Sequence, residues 1–403
     1  MSKEGYYDGK PSDMPRLVYR NLLASLNEQD TPEQRTVVIS SFLESLKKSH
    51  GSGEFLKMKM TLPEALCNAL SSTELDVIEA ELAKLRAVRG SRLHSVFPVC
   101  SDEFKFSQDF YSSVFRGEPD PAFNRSSQIF TIGSCFAVNI SRYLSKKGYN
   151  IEAFRKSETV NSIFGNALLF AVLCEDDATI HDFIHQSLSS LFPSDVTEAQ
   201  FDNEITQLKN VKDRLISSDV LIVTLGNTVD AFYESTTAKF SCPKVFPRFL
   251  NALQDTSVKG QSKISAALQS RGGTFKLAGV SDTLPVLKQM FSSLRSLNPS
   301  AKIFTTVSPV AIHNAMGISD YLKRGPIEAD CATKSILRAC IEDVLVSNSV
   351  ENLSYFPSFE IVRWLGSTIG KAAYGQEDAS STHVSDEVLS SIYDYFEHLY
   401  AEK

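Results

Sequence analysis

Gln128-Ile129-Phe130-Thr131-Ile132-Gly133-Ser134-Cys135-Phe136-Ala137 decides how this chain is read. The first half is β-branched and aromatic, whereas the second opens a segment that places Phe136, Ile140, Tyr143 and Leu144 on one helical face. Gly133-Ser134 stands at the junction. A strand that runs directly into a helix puts that hydroxyl at the carboxyl edge of a sheet, beside helix N-terminal amides that stabilise developing negative charge. Gly148 ends the helix, Lys146 and Lys147 suit the negative end of its dipole, and Tyr149 to Phe154 resumes an extended pattern. A strand-helix-strand unit of this kind demands parallel pairing.

Beyond this unit, Asp219 to Leu225 is a short apolar run of the type buried on both faces of a parallel sheet, and it ends at Gly226-Asn227. Leu284, Leu287, Met290, Phe291 and Leu294 form a helical stripe, followed by a strand over Lys302 to Val307 that ends at Ser308-Pro309. A helix around Thr333 to Val344, a strand around Leu353 to Phe356 and a last helix carrying Val388, Leu389, Ile392, Tyr393, Phe396 and Leu399 complete an α/β layered domain. Glu175 to Lys212 breaks the rhythm and reads either as a lid over the site or as a surface insertion. Residues 1–95 read as a helical extension: Thr31-Pro32-Glu33-Gln34 and Thr61-Leu62-Pro63-Glu64 are helix starts, and His50-Gly51-Ser52-Gly53 is a linker. Nothing in that region resembles a catalytic constellation, so packing or docking of a protein partner is its expected role.

At 403 residues, 42% hydrophobic and 22% charged, the chain has the composition of a globular protein. Its net charge of −7 comes from interspersed acids, and without a basic block the composition argues against nucleic acid as partner. The first residues hold no apolar run like a secretory signal, and no stretch approaches the length needed to span a bilayer, so a cytoplasmic location is expected. The seven cysteines are scattered without CxxC spacing, which points to buried small hydrophobes rather than disulfides or zinc ligands.

Ligands of open α/β sheets gather beyond the carboxyl ends of the strands. Four such ends carry polar residues here: Gly133-Ser134, Gly226-Asn227, Ser308-Pro309, and the late loop Glu377 to His383. One hydroxyl, one carboxamide, one carboxylate and one imidazole are the parts for acyl transfer through a covalent serine. Each has an ordinary reading too. Ser134 suits a helix cap, His383 a surface position before the cap Ser385, and Asp378 an acidic loop.

Gly133-Ser134-Cys135-Phe136-Ala137 spells the signature of the GSCFA family, and Asn161-Ser162-Ile163-Phe164-Gly165, Thr224-Leu225-Gly226, Thr306 to Val310 and Tyr355 to Glu360 resemble further blocks in the same order. The resemblance runs from about Ser127 to Val388. It implies kinship with SGNH, or GDSL-like, hydrolases: a three-layer SGNH-like α/β domain with a mostly parallel sheet over residues 96–403, beside the helical extension. By position it implies Ser134 as nucleophile, His383 as base and Asp378 as the acid that orients it. Ser134, Gly165 and Asn227 are implied as oxyanion donors. Two departures stand out. Asn227 follows Gly226 directly where the usual block reads glycine-x-asparagine, and four residues rather than two separate Asp378 from His383. The implied activity is that of a serine esterase or O-acyltransferase on a carbohydrate or glycan-precursor ester, most naturally an acetyl ester. No cofactor or metal is required, with acetyl-CoA as donor if the reaction is a transfer. The rival from a different class is an inactive binding or scaffold protein in a glycan-building system.

Other candidates stay open. Cys135 lies in the first helical turn, where a thiol is activated, although a packed thiol is the ordinary expectation. His181 and His185 share a helix face as zinc ligands can, but no third ligand is evident. His313 follows a strand end, and Arg155, Lys156, Lys323 and Arg324 are cations that an anionic substrate could use.

Overall fold

The computed structural model describes residues 14–49, 62–90, 105–115, 117–154, 161–191, 197–232, 245, 247, 249–250, 273–312, 325–369, 371–375 and 382–402. The chain divides into two compact units, residues 1–118 with 365–371 and residues 119–364 with 372–403. The expected boundary at residue 95 falls among residues outside the description.

In the first unit, α1 (Met14–Asn27), α2 (Pro32–Ser49), α3 (Glu64–Ala69) and α4 (Ser72–Gly90) enclose a small core of Leu22, Leu26, Ile39, Leu43, Ile78 and Leu82. The Thr31 capping box forms as its spacing dictates, with Gln34 N–H donating to Thr31 Oγ1 at 3.3 Å and Thr31 N–H to Gln34 Oε1 at 3.2 Å. Thr61 lies outside the described residues, and the helix it was expected to cap starts at Glu64. A short helix, α5 (Gln108–Val114), belongs to the same unit.

The second unit is a three-layer α/β domain. Its five strands, β1 (Ile129–Gly133), β2 (Ile151–Ala153), β3 (Val220–Leu225), β6 (Lys302–Val307) and β7 (Leu353–Tyr355), pair in parallel in the order β2-β1-β3-β6-β7. One face presents Phe130, Ile132, Leu221, Val223, Leu225, Ile303 and Val307 to a core built with α7 (Ile163–Leu173), α8 (Asp177–Leu191), α9 (Glu198–Ser217), α10 (Val280–Leu297) and α11 (Pro326–Val346). The alternate residues face α6 (Cys135–Lys146) and the final helix α12 (Asp386–Tyr400). There Phe304 meets Tyr400 at 4.2 Å and Phe396 at 5.2 Å, and Phe136 meets Tyr393 at 5.3 Å.

Several expectations are corrected. Glu175 to Lys212 is neither lid nor surface insertion, because Ile180, Ile184 and Leu188 on α8 and Phe201, Leu208 and Val211 on α9 are buried in the main core. A second, antiparallel pair, β4 (Val229–Phe232) with β5 (Thr274–Leu277), had no sequence signal. Among the described cysteines only Cys340 is buried, while Cys67 and Cys135 are partly exposed and Cys174 and Cys331 are exposed. Cys331 sits on the surface of α11 and Cys174 at the C-cap of α7.

Candidate functional site at the switch point of the sheet

In the order β2-β1-β3 the chain leaves β1 in one direction and returns to β3 on its other side, which opens a crevice between their carboxyl ends. Ser134 follows β1 there and Gly226-Asn227 follow β3. Gly133 makes the junction, with φ +122°, and any Cβ on it would stand 1.9 Å from the Thr224 carbonyl oxygen. Only glycine allows β1 and β3 to run this close before the chain turns into α6.

Ser134 occupies the N-cap of α6 but its side chain makes no capping bond. Instead its Oγ donates to Ser308 Oγ at 2.9 Å and lies 3.0 Å from Thr224 Oγ1. Since Thr224 Oγ1 also accepts the Ser134 N–H at 2.7 Å, its own proton is left to point at the serine oxygen. The hydroxyl is therefore held at the carboxyl ends of three adjacent strands, and Ser134 is 1% exposed. The same row continues through Thr306 Oγ1, 2.7 Å from Ser358 Oγ.

The expected oxyanion donors meet different fates. Asn227 is half-buried, and its Oδ1 accepts the Val229 N–H at 3.0 Å, which fixes the carboxamide and leaves Nδ2 as its donor end. The Gly165 N–H donates to Ser162 Oγ at 2.9 Å and caps α7. The Ser134 N–H is likewise taken by Thr224. In this state two of the three donors are already satisfied, and Asn227 is the one left to contribute. Ser162 in turn donates to the buried carboxylate of Asp230.

His383 is exposed and is not a hydrogen-bond partner of Ser134. It belongs to a segment tied toward the site: its carbonyl accepts the Gly375 N–H at 3.0 Å, Tyr374 pairs with Val384, and the Tyr374 hydroxyl donates to the Pro309 carbonyl at 2.9 Å. Asp378, His313, Arg155, Lys156, Lys323 and Arg324 lie outside the described residues. Cys135, expected as a packed thiol, is partly exposed at the first position of α6. His185 stacks on Phe201 at 4.7 Å, and among the described residues no group of three His, Cys, Asp or Glu is arranged to hold a metal. A cavity of about 590 Å³ lined by Phe130, Glu152, Phe154, Val211 and Arg214 lies at the β2 edge and includes none of these candidates.

Sequence reading missed the residues beneath the crevice. Lys334, 2% exposed, donates to the Gly226 carbonyl at 2.6 Å, and Asp330, 5% exposed, takes the Arg363 guanidinium. The signal was present. Asp330, Thr333, Lys334, Leu337 and Ile341 share the buried stripe of α11, and two charges on an apolar stripe mark a buried polar site.

No helix among the described residues is long and apolar enough to cross a membrane. No curated protein matches the chain closely enough to lend it an activity. The GSCFA family model matches residues 128–396, from the start of β1 into the last helix and through every residue of the crevice described above. With two thirds of its length matched, the chain belongs to the GSCFA family.

Proposed function

We propose that this protein is a serine-dependent esterase or O-acyltransferase with Ser134 as nucleophile, acting on an O-acylated carbohydrate or glycan precursor. One observation carries the reading: a serine at a helix N-cap gives up the capping bond and is instead held by Thr224 and Ser308 where such sheets bind ligands. In the reaction the Ser134 oxygen attacks the ester carbonyl carbon and its proton passes to His383. The carbonyl electron pair moves to oxygen, where the Asn227 carboxamide donates to it. Collapse then expels the alcohol with the proton returned by His383, and water or an acceptor hydroxyl releases the acyl group from Ser134. Asp378 would hold the imidazole. The kinship with SGNH hydrolases and the carbohydrate preference rest on the sequence resemblance.

A second reading has its own observation. The Ser134 amide and hydroxyl are both engaged within the fold, the Gly165 amide is spent on a cap, and His383 is not hydrogen-bonded to the serine. Those are features of a retired hydrolase fold that binds without turnover. Incubation with an acetylated sugar, and separately with acetyl-CoA plus a sugar acceptor, separates the two. Hydrolysis or transfer that falls at least about a thousandfold in Ser134→Ala supports the enzyme. Equal product from wild type and variant supports the binding protein.

A further inference from the structure

Three loops at the carboxyl edge of the sheet are joined by one buried ion cluster. Lys334 holds the Gly226 carbonyl; one helical turn earlier, Asp330 Oδ1 accepts the Ile312 N–H at 3.0 Å, and its Oδ2 accepts from Arg363 Nη2. The Arg363 guanidinium lies over the Tyr374 ring at 5.6 Å. Tyr374 then ties to Pro309, and its neighbours Ala373 and Gly375 bond with Ser385 and His383. Arg363 pairs with that carboxylate directly, while Lys334, one turn along the same helix, feels it through space. A buried ammonium with so little compensation opposes folding, and such groups are kept where they serve a site.

We propose that Lys334 is a positioning residue: through the Gly226 carbonyl it fixes the turn that presents Asn227, and through Asp330 and Arg363 it couples that turn to the segment bearing His383. The role rests on the acyl-transfer reading, since it matters to catalysis only if Asn227 and His383 act on Ser134. Gly226 needs such a hold. Its own N–H and that of Asn227 both reach the single carbonyl of Asn161, at 3.0 and 3.2 Å, and a Cβ on Gly226 would stand 1.5 Å from Asn161 Oδ1, an acceptor buried without a partner. The turn is tightly packed on one side and clamped by Lys334 on the other.

The clamp is also proton-linked. Burial pushes the Lys334 ammonium down to about 8, against the pull of Asp330, while Arg363 adds to the fall and Cys135 opposes it. Tyr374, which faces the same cluster, is held up at about 12 by burial, so it stays neutral through this range. Below pH 8 the Gly226 carbonyl receives a charge-assisted bond; above it the bond is between neutral groups and weaker.

Hydrogen exchange on the full-length protein tests this, read at peptides carrying Gly226-Asn227 and at those carrying Gly375 and Ser385. Lys334→Met, close in volume, should speed exchange at the Gly226-Asn227 turn roughly tenfold at pH 7 and leave β1 unchanged. In wild type, exchange at that turn through local openings that leave Lys334 buried, corrected for intrinsic chemistry, should step upward as pH passes 8, and the step should vanish in the variant. A folded variant with unchanged protection at the turn overturns the proposal, as does a wild-type profile with no step, which can be read even if the variant fails to fold. Labelling of Ser134 by a fluorophosphonate adds the functional readout: the variant should react at least about tenfold more slowly than wild type. A loosened turn with an unchanged labelling rate makes Lys334 structural only and overturns the positioning role. If wild type is not labelled at all, the acyl-transfer reading falls, and exchange alone decides whether Lys334 clamps the turn.

Discussion

Ser134 and Lys334 depend on partners far away in the chain, Asn227 on Val229 two residues on, and the chemistry of each follows from its partner. Asn227 keeps one donor end, Nδ2, because Oδ1 is committed to Val229. Asn227→Ala should therefore lower kcat by roughly 2.7 to 4 kcal/mol of barrier while KM changes little, measured on whichever acetyl ester is turned over. Lys334 gives a stability prediction with a definite sign. Its folded value of about 8 lies below the ordinary 10.5, so between those values the unfolded chain binds more protons and stability rises with pH. Relative to Lys334→Met, wild type should gain roughly 3 kcal/mol of unfolding free energy from pH 8 to 10.5, read from denaturant melts across that range. The hydroxyl at Ser134 was legible because a strand-to-helix junction is a local pattern. The fate of the Gly165 and Ser134 amides was not, since Ser162 competes as a cap and Thr224 arrives from another strand.

Helices and strands were legible where one periodicity governs them. α6 ends at Gly148 with φ +86°, as its sequence implies, and its Lys147 reaches Asp394 and Glu397 on α12. α8 and α9 misled because their polar faces are long, yet the aliphatics at helical spacing outweigh them. β4 and β5 gave no signal, because their pairing spans a separation that local pattern does not encode. In the helical unit the Arg35–Glu74 pair joins the start of α2 to the first turn of α4. Arg35 donates two bonds to the carboxylate at 2.9 and 3.0 Å, and Ser71 adds its N–H and hydroxyl at 2.8 and 2.9 Å. The Arg35 bonds hold Glu74 down at about 2 against a desolvation penalty. A depressed carboxylate stabilises above its unfolded value near 4.5 and loses that contribution as pH falls through 2. Glu74→Gln should cost about 1 to 3 kcal/mol at pH 7, seen as an earlier loss of helical circular dichroism in denaturant, and the gap should close toward pH 2.

Across the whole molecule, alternation of strand and helix implies a parallel sheet, and the sheet order then chooses the site. Placing β1 between β2 and β3 makes the β1–β3 edge the crevice, which draws Ser134, Thr224, Ser308, Asn227 and Lys334 together from separations of up to two hundred residues. Sequence alone supplied the alternation, not that order, so it named Ser134, Asn227 and Ser308 at strand ends while passing over the buried cluster beneath them. The proposed chemistry requires Ser134 to be a nucleophile. Intact-mass analysis of the full-length protein after treatment with a fluorophosphonate tests this most directly. One covalent adduct is expected, mapped by peptide sequencing to Ser134 and lost in a folded Ser134→Ala variant. Folded wild-type protein that takes up no probe, or carries it on another residue while Ser134 stays unmodified, would contradict it.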